Sequence, residues 1–392
     1  MKHWRHGAVT LACDELREYV KGKRIALMMN TTALDNEGRL LIDRIAEEKW
    51  ATVAYFLGME HGVRGNLYAG DSHLCAYDER TGIPVVNLYD YPKCQPPADR
   101  LREVDAVVFS AQDVGVRHWT YTPWMMRLID SAAEAGCEVI VLDRPNPIRG
   151  DIVEGEPARA PYVGTHLLSG FAYPLRHGMT IGELALMYRA VKALDVNLTV
   201  LKMKGWRREM WFEETGLPWI PASPNMPTVD TALYFAATGL MQSASFSLGI
   251  GTTTPFQYVG GMDFDGKRLC DALNAKNMEG VYFLQKYYQA TTYKDFYDGI
   301  KNTPVLCDGA LMVIQDRNAW RPVATQLQIM ETLQALFGDR INFEYNSAAR
   351  ARMCTDEICD AILAGRGLGE VAKSWEKAAI AFSSARAPYL LY

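Results

Sequence analysis

Residues Met59 to Gly65 read Met-Glu-His-Gly-Val-Arg-Gly, which gathers a carboxylate, an imidazole and a guanidinium into one short loop. These are the side-chain types that carry proton transfer and anion contact. They are poor core material, because charged groups are rarely buried unless paired. The glycines let the backbone turn tightly and come close to a ligand. The loop follows an apolar run, Thr52 to Leu57. In an open parallel α/β sheet, ligands bind in the crevice beyond the carboxyl ends of the strands. Glu60, His61 and Arg64 are therefore read as active-site residues.

The elements that must position them repeat the same pattern. Arg24 to Met29 ends in Asn30-Thr-Thr, and Ile83 to Leu88 ends in Tyr89 and Asp90. Ala106 to Ser110 ends in Gln112-Asp113-Val-Gly-Val-Arg117, and Glu138 to Leu142 ends in Asp143-Arg144-Pro-Asn146-Pro. Short apolar runs bounded by turn residues suit strands buried on both faces. Their spacing fits βαβ units with right-handed crossovers. The expected class is α/β, with a mainly parallel sheet, helices on both faces, and polar strand ends gathered at one edge.

Composition excludes several classes. The 392 residues favour two domains over one core. A hydrophobic content of 49% and a charged content of 22% are those of a soluble globular protein. The net charge of −5 gives no basic footprint for nucleic acid. No apolar stretch approaches the ~20 residues needed to span a bilayer. Residues 1–7 are charged and lack the apolar core of a secretory signal, so a cytoplasmic location is expected unless such a signal has been trimmed. The eight cysteines are scattered without a CxxC pair, which favours reduced thiols. No HExxH occurs among the seven histidines, so no metal is expected, and no dinucleotide or phosphate loop points to a cofactor. Oligomeric state is not legible.

Further along, Asp151 to Pro174 is rich in Gly, Pro and small residues and reads as a long excursion carrying Glu154. Thr180 and Glu183 form a capping box at the head of a helix from Ile181 to Leu194, with His177 just outside it. A strand from Val196 to Met203 is followed by Trp206, Trp211, Phe212 and Trp219. Such aromatics either grip sugar faces or pack between elements, and at least two are assigned to packing. Pro221 to Thr228 breaks regular structure and marks the change of domain. Beyond it, a strand at Leu311 to Ile314 and helices over Ala324 to Phe337, Thr355 to Leu363 and Leu368 to Phe382 form a second, smaller α/β unit.

In order along the chain stand Asn30-Thr-Thr, Glu60-His-Gly-Val-Arg-Gly, Ala69-Gly, Thr81-Gly-Ile-Pro-Val, Gln112-Asp-Val-Gly-Val-Arg, Tyr121-Thr, Leu142-Asp-Arg-Pro-Asn-Pro, Glu154-Gly, His177-Gly-Met-Thr-Ile-Gly-Glu and Pro224-Asn-Met-Pro. This series resembles the bacterial exo-β-N-acetylmuramidases, peptidoglycan hexosaminidases first known as a domain of unknown function. The resemblance runs from about Gly22 to Tyr392. It implies a Rossmann-like domain over 1–225, a C-terminal α/β domain over 226–392, a cleft between them, and release of N-acetylmuramic acid from non-reducing ends. Within these segments the candidate substrate-binding residues are Asn30, Arg64, Gln112, Arg117, Tyr121, Arg144, Asn146, His177, Asn225 and Thr252. The expected partner is an oligosaccharide. The sequence departs from the family at one loop, with Ile250 in place of an arginine and Gln257 in place of a glutamate. Those departures admit an altered glycone, or a sugar-binding protein with weakened turnover. They also leave Arg64, Arg117 or Arg144 to supply any anion contact, and predict that Ile250→Arg would raise the preference for muramic glycosides.

Glycoside hydrolysis needs an acid for the leaving oxygen and a second group that supplies or activates the nucleophile. Glu60 is the candidate acid, with His61 beside it. Asp113 and Asp143 lie near arginines, and ion-paired carboxylates stay ionised, which suits a base or positioning role. Glu154 could enter from the excursion as a lid residue. The substrate's own acetamido group is a further candidate nucleophile.

Overall fold

The computed structural model describes residues 8–67, 76–164, 168–242, 246–291, 304–338 and 347–392. The Ala69-Gly70 motif and residues 1–7 lie outside them. The chain divides into two compact units, the first made of Met1–Ile152, Gly178–Pro224 and Ala385–Tyr392, the second of Val153–His177 and Asn225–Ser384. Chain passage between units at Pro224 coincides with the proline-rich break. The excursion after Asp151 belongs to the second unit, however, and the last residues return to the first.

The first unit contains α1 (Cys13–Val20), β1 (Arg24–Met29), α2 (Leu41–Glu47), β2 (Thr52–Gly58), β3 (Val85–Asn87), α3 (Ala98–Leu101), β4 (Ala106–Ser110), α4 (Tyr121–Ala135), β5 (Glu138–Leu142), α5 (Ile181–Val191) and β6 (Leu198–Leu201). Its six strands are all parallel, in the order β3-β2-β1-β4-β5-β6. Every residue of β4 is buried, as are all but the first of β1. The period-2 alternation of a strand divides these side chains between two faces. Ile25, Leu27, Met29, Ala106, Val108, Ile140 and Leu142 pack with Leu16 of α1 and Ile42 and Ile45 of α2. Residues of the opposite parity meet the other layer, where α3 contacts α4 and α4 contacts α5. Right-handed crossovers from β4 to β5 to β6 require this division. The capping box at Thr180 and Glu183 is formed, with Glu183 N donating to Thr180 Oγ1 and Thr180 N to Glu183 Oε2.

The second unit comprises α6 (Asp230–Thr238), β7 (Tyr258–Gly261), α7 (Gly266–Asn274), β8 (Val281–Thr291), β9 (Pro304–Ile314), α8 (Pro322–Phe337), α9 (Ser347–Met353), α10 (Glu357–Leu363) and α11 (Gly369–Ala385). Its sheet is antiparallel, ordered β7-β9-β8. The expected strand at Leu311 is the end of β9, and β8 beside it carries no clean alternation that would have exposed it to pattern reading. Among the described residues no helix is long and apolar enough to cross a membrane. The seven described cysteines are free thiols.

Candidate active site

Because all six strands of the first unit point the same way, Asn30, Glu60, Tyr89, Gln112 and Asp143 follow β1, β2, β3, β4 and β5 at a single edge. The order also fixes a topological switch point between β1 and β4, from which successive connections run in opposite directions. A crevice at such a point is where open α/β sheets bind ligands. Asn30 and Gln112 flank it, and Glu60 stands one strand away.

Glu60 is 8% exposed and accepts a 2.5 Å hydrogen bond at Oε2 from the Tyr89 hydroxyl. Burial, then the Glu60 charge, pushes the Tyr89 hydroxyl up, so it stays protonated and remains a donor. The Tyr89 ring meets Trp124 edge-on at 5.5 Å. Directly after Glu60 the backbone turns left-handed twice, at His61 (φ 66°) and Gly62 (φ 73°). That conformation is uncommon outside glycine, and where it occurs it concentrates at functional sites. Here it ends β2 abruptly and leaves Glu60 at the lip of the sheet. His61 Nδ1 lies 2.9 Å from Leu67 O. A carbonyl can only accept, so Nδ1 carries the proton and the ring is fixed by this bond. Gly65 (φ 66°) closes the loop, and a Cβ there would stand 2.5 Å from Thr31 Oγ1.

Across the switch point runs a polar network. Asn30 Oδ1 accepts from Thr32 N (3.0 Å) and Thr32 Oγ1 (2.6 Å), and Thr32 Oγ1 accepts from Gln112 N (2.9 Å). Asn30 also hydrogen-bonds the Tyr121 hydroxyl, which donates to Ala222 O at 2.6 Å. Burial and the charge of Glu60 hold Tyr121 protonated, so Glu60, Tyr89, Tyr121 and Asn30 form one cluster. Gln112 Nε2 is spent on Asp113 O and Pro145 O. Beside this network Thr32, Gln112, Arg144, Phe212 and Trp219 line a pocket.

Other candidates are engaged elsewhere. Arg64 grips Asp78 through Nε (2.7 Å) and Nη2 (2.6 Å) and reaches Asp43 at 2.9 Å. That fork holds Asp78 down at about 2. Arg64 thus clips the Glu60 loop to α2 and is not available as an anion contact. Asp143 does not pair with the Arg144 side chain. It accepts from Thr180 Oγ1 (2.7 Å), Gly182 N (2.8 Å), the Tyr392 hydroxyl (2.7 Å) and the backbone N of Arg144 (3.0 Å). Burial, then the neighbouring Glu183, pushes it up to about 7, so the expectation of a permanently ionised carboxylate does not hold. Asp113 accepts from Gly115 N and Thr122 Oγ1 and orders the approach to α4. Asn146 braces its own turn through Ile148 N and Met179 O. Arg117 is 1% exposed in the loop between β4 and α4.

Four candidates fall in the second unit. Glu154 pairs with the fully buried Arg176 and accepts from Val323 N, an anchored position that differs from the expected lid. His177 is fully buried, 5.9 Å from the Tyr173 ring. Thr252 spends its hydroxyl on Gly249 O, and Asn225 begins the longer segment of the unit, half-buried. Ile250 is 7% exposed, so an arginine there would bury a charge, and Ile250→Arg is a poor probe of specificity. Gln257 donates to Tyr234 Oη and Met312 O. Among the described residues no cluster of His, Cys, Asp or Glu could hold a metal ion.

Two adjoining sequence profiles cover nearly the whole chain. Residues 25–230 match the N-terminal domain of the exo-β-N-acetylmuramidase NamZ, and residues 233–392 match its C-terminal domain. The chain belongs to the NamZ family. It is 36% identical over 389 residues to the peptidoglycan β-N-acetylmuramidase NamZ of Bacillus subtilis strain 168, covering 98% of this chain and 91% of that protein. A DUF1343 family protein of Bacteroides fragilis has the same fold, with a TM-score of 0.87, 32% identity, and coverage of 99% of this chain and 100% of that one. A second DUF1343 protein of the same organism matches at a TM-score of 0.73 and 26% identity, over 98% and 99%.

Within this NamZ-family chain, the residue that sequence reading undervalued is Tyr89. Its position after a strand marked it, but a tyrosine in an apolar context carries no chemical signal until its hydroxyl is seen to meet Glu60. Trp219 is half-buried in the pocket wall, edge-on to Phe212 at 5.1 Å, whereas Trp206 is buried against Tyr392.

Proposed function

We propose that this protein is an exo-acting glycoside hydrolase that releases N-acetylmuramic acid from the non-reducing ends of peptidoglycan fragments, with Glu60 as the general acid. Its membership of the NamZ family supports the substrate class. The observation that carries the assignment of Glu60 is its setting. It is a buried carboxylate at the strand edge beside the switch point, hydrogen-bonded by a tyrosine that cannot take its proton. Asn30 and Tyr121, committed to Thr32, Ala222 and each other, brace the cluster from beneath, and His61 stands next to the acid in the same loop.

For the nucleophile we favour the substrate's 2-acetamido group. Asp113 and Asp143, the carboxylates that follow β4 and β5, are occupied by backbone amides and hydroxyls. Substrate assistance needs one acid and groups that orient the acetamide, which a cluster centred on Glu60 supplies. The test is release of N-acetylmuramic acid from a muramyl disaccharide by wild type and Glu60→Gln, with the anomer formed first followed by NMR. Loss of at least about 100-fold in the variant and a retained β-anomer are expected. Full activity in Glu60→Gln would remove Glu60 from the role, and an inverted product would exclude acetamide participation.

A further inference from the structure

The pocket beside the switch point has an unusual cation. Arg144 follows β5, is 6% exposed, and donates from Nε to Ser110 Oγ (3.1 Å) and from Nη2 to Leu34 O (3.0 Å). Among the described residues it forms no ion pair with a carboxylate. The nearest acid in sequence, Asp143, faces Thr180, Gly182 and Tyr392 instead. Asp35 also lines the pocket, but its side chain is fully buried and committed to Arg39 and Arg44. Asp143 acts on Arg144 through its charge but makes no side-chain contact with it, so the guanidinium donates only to neutral oxygens and keeps capacity for a charge-assisted bond to an anion. The rest of the lining is of two kinds. Thr32 and Gln112 tie the pocket to the Asn30–Tyr121 network and hence toward Glu60, while Phe212, Leu217, Trp219 and Ile220 make an apolar wall.

We propose that this pocket is a specificity site for a small carboxylate carrying an apolar face, with Arg144 as its anion contact. Resting on the reading that the protein acts on muramic glycosides, the ligand group is the lactyl ether, which joins a carboxylate to a methyl group. Arg144 and Glu60 follow strands separated by β1 and β4, so their main chains stand roughly 14 Å apart at about 4.8 Å per strand. Arg64, locked to two aspartates, cannot serve in this way.

The experiment changes the ligand before it changes the protein. Aryl β-glycosides of N-acetylmuramic acid, of its lactyl methyl ester and of N-acetylglucosamine are compared by kcat/KM in wild type, Arg144→Lys and Arg144→Met. Wild type is expected to prefer the free acid over the ester by at least tenfold, roughly the value of one charge-assisted contact. That preference should shrink stepwise through Arg144→Lys to Arg144→Met. Equal treatment of acid and ester by wild type, or an undiminished preference in a folded Arg144→Met, overturns the proposal. If wild type cleaves none of the three, the hydrolase reading fails. Calorimetric binding of free N-acetylmuramic acid against N-acetylglucosamine then decides this inference alone, with acid-selective binding supporting it and indifferent or absent binding overturning it. Should Arg144→Met not fold, the acid-to-ester ratio in wild type and Arg144→Lys stands as the test.

Discussion

Removing the hydroxyl that holds Glu60, by Tyr89→Phe, tests the catalytic assignment more sharply than removing the carboxylate. The contact is short, 2.5 Å, and the substituted ring keeps its place against Trp124, so little else is disturbed. A hydrogen bond to a charged group contributes about 1.5–3 kcal/mol, which corresponds to roughly 10- to 150-fold in kcat/KM if it orients the acid in the transition state. The same substitution made in Glu60→Gln removes only a neutral contact of about 1 kcal/mol, so it should cost no more than roughly fivefold. The difference is the coupling energy of a double-mutant cycle, expected at about 0.5–2 kcal/mol. The assay is kcat/KM on an unactivated muramyl disaccharide, because an aryl leaving group needs little protonation. The reasoning would be refuted if Tyr89→Phe cost less than about threefold, or cost the same in both backgrounds.

Three further outcomes are expected. Gly65→Ala forces a Cβ toward Thr31 Oγ1 at a left-handed φ and should lower both thermal stability and turnover, by about 1–2 kcal/mol or more in unfolding experiments; an unchanged melting temperature would count against the loop geometry. Arg64→Ala removes the guanidinium shared by Asp43 and Asp78, leaving Asp43 to Arg80 and Asp78 to Thr81, and should cost about 1–2 kcal/mol of stability while leaving the acid-to-ester preference of the enzyme intact; a lost preference would return Arg64 to the substrate site. Asp143, raised to about 7 from an ordinary 3.8, binds its proton more tightly in the folded state, so its contribution is complete below about pH 4 and is lost as pH rises through 7, at up to about 1.4 kcal/mol per pH unit. Urea midpoints between pH 5 and 8 should therefore fall more steeply in wild type than in Asp143→Asn, and parallel slopes would exclude the assignment.

How much of this was legible in the sequence depended on how local each signal is. β1, β4 and β5 have the bounds expected from apolar runs, because a strand buried on both faces is written in consecutive residues. The cap at Thr180 was readable for the same reason, since both partners lie within one turn. The strand-end loops around Asn30, Glu60 and Gln112 were identifiable because polar residues after an apolar run have few structural uses. What could not be read were pairings between distant segments. Asp78 and Asp43 claim Arg64, and Tyr392 reaches back to Asp143 across most of the chain. The antiparallel β8 was hidden because its exposed Tyr282, Leu284 and Tyr287 blur the alternation that would mark a half-buried strand.

The return of residues 385–392 to the first unit bears on how the protein is made. Tyr392 donates to Asp143 and accepts from Met203 N, Leu391 N donates to Glu183, and Arg386 reaches the Gly150 carbonyl. Nascent domains generally fold in the order of synthesis. Here the parallel sheet emerges from the ribosome long before the residues that complete its α5 edge, and the whole second unit is translated in between. A ribosome stalled anywhere after Pro224 would display the Glu60 loop on a sheet with that edge still open. The unit that is begun first is closed last, and a C-terminal nick by a protease would reopen it.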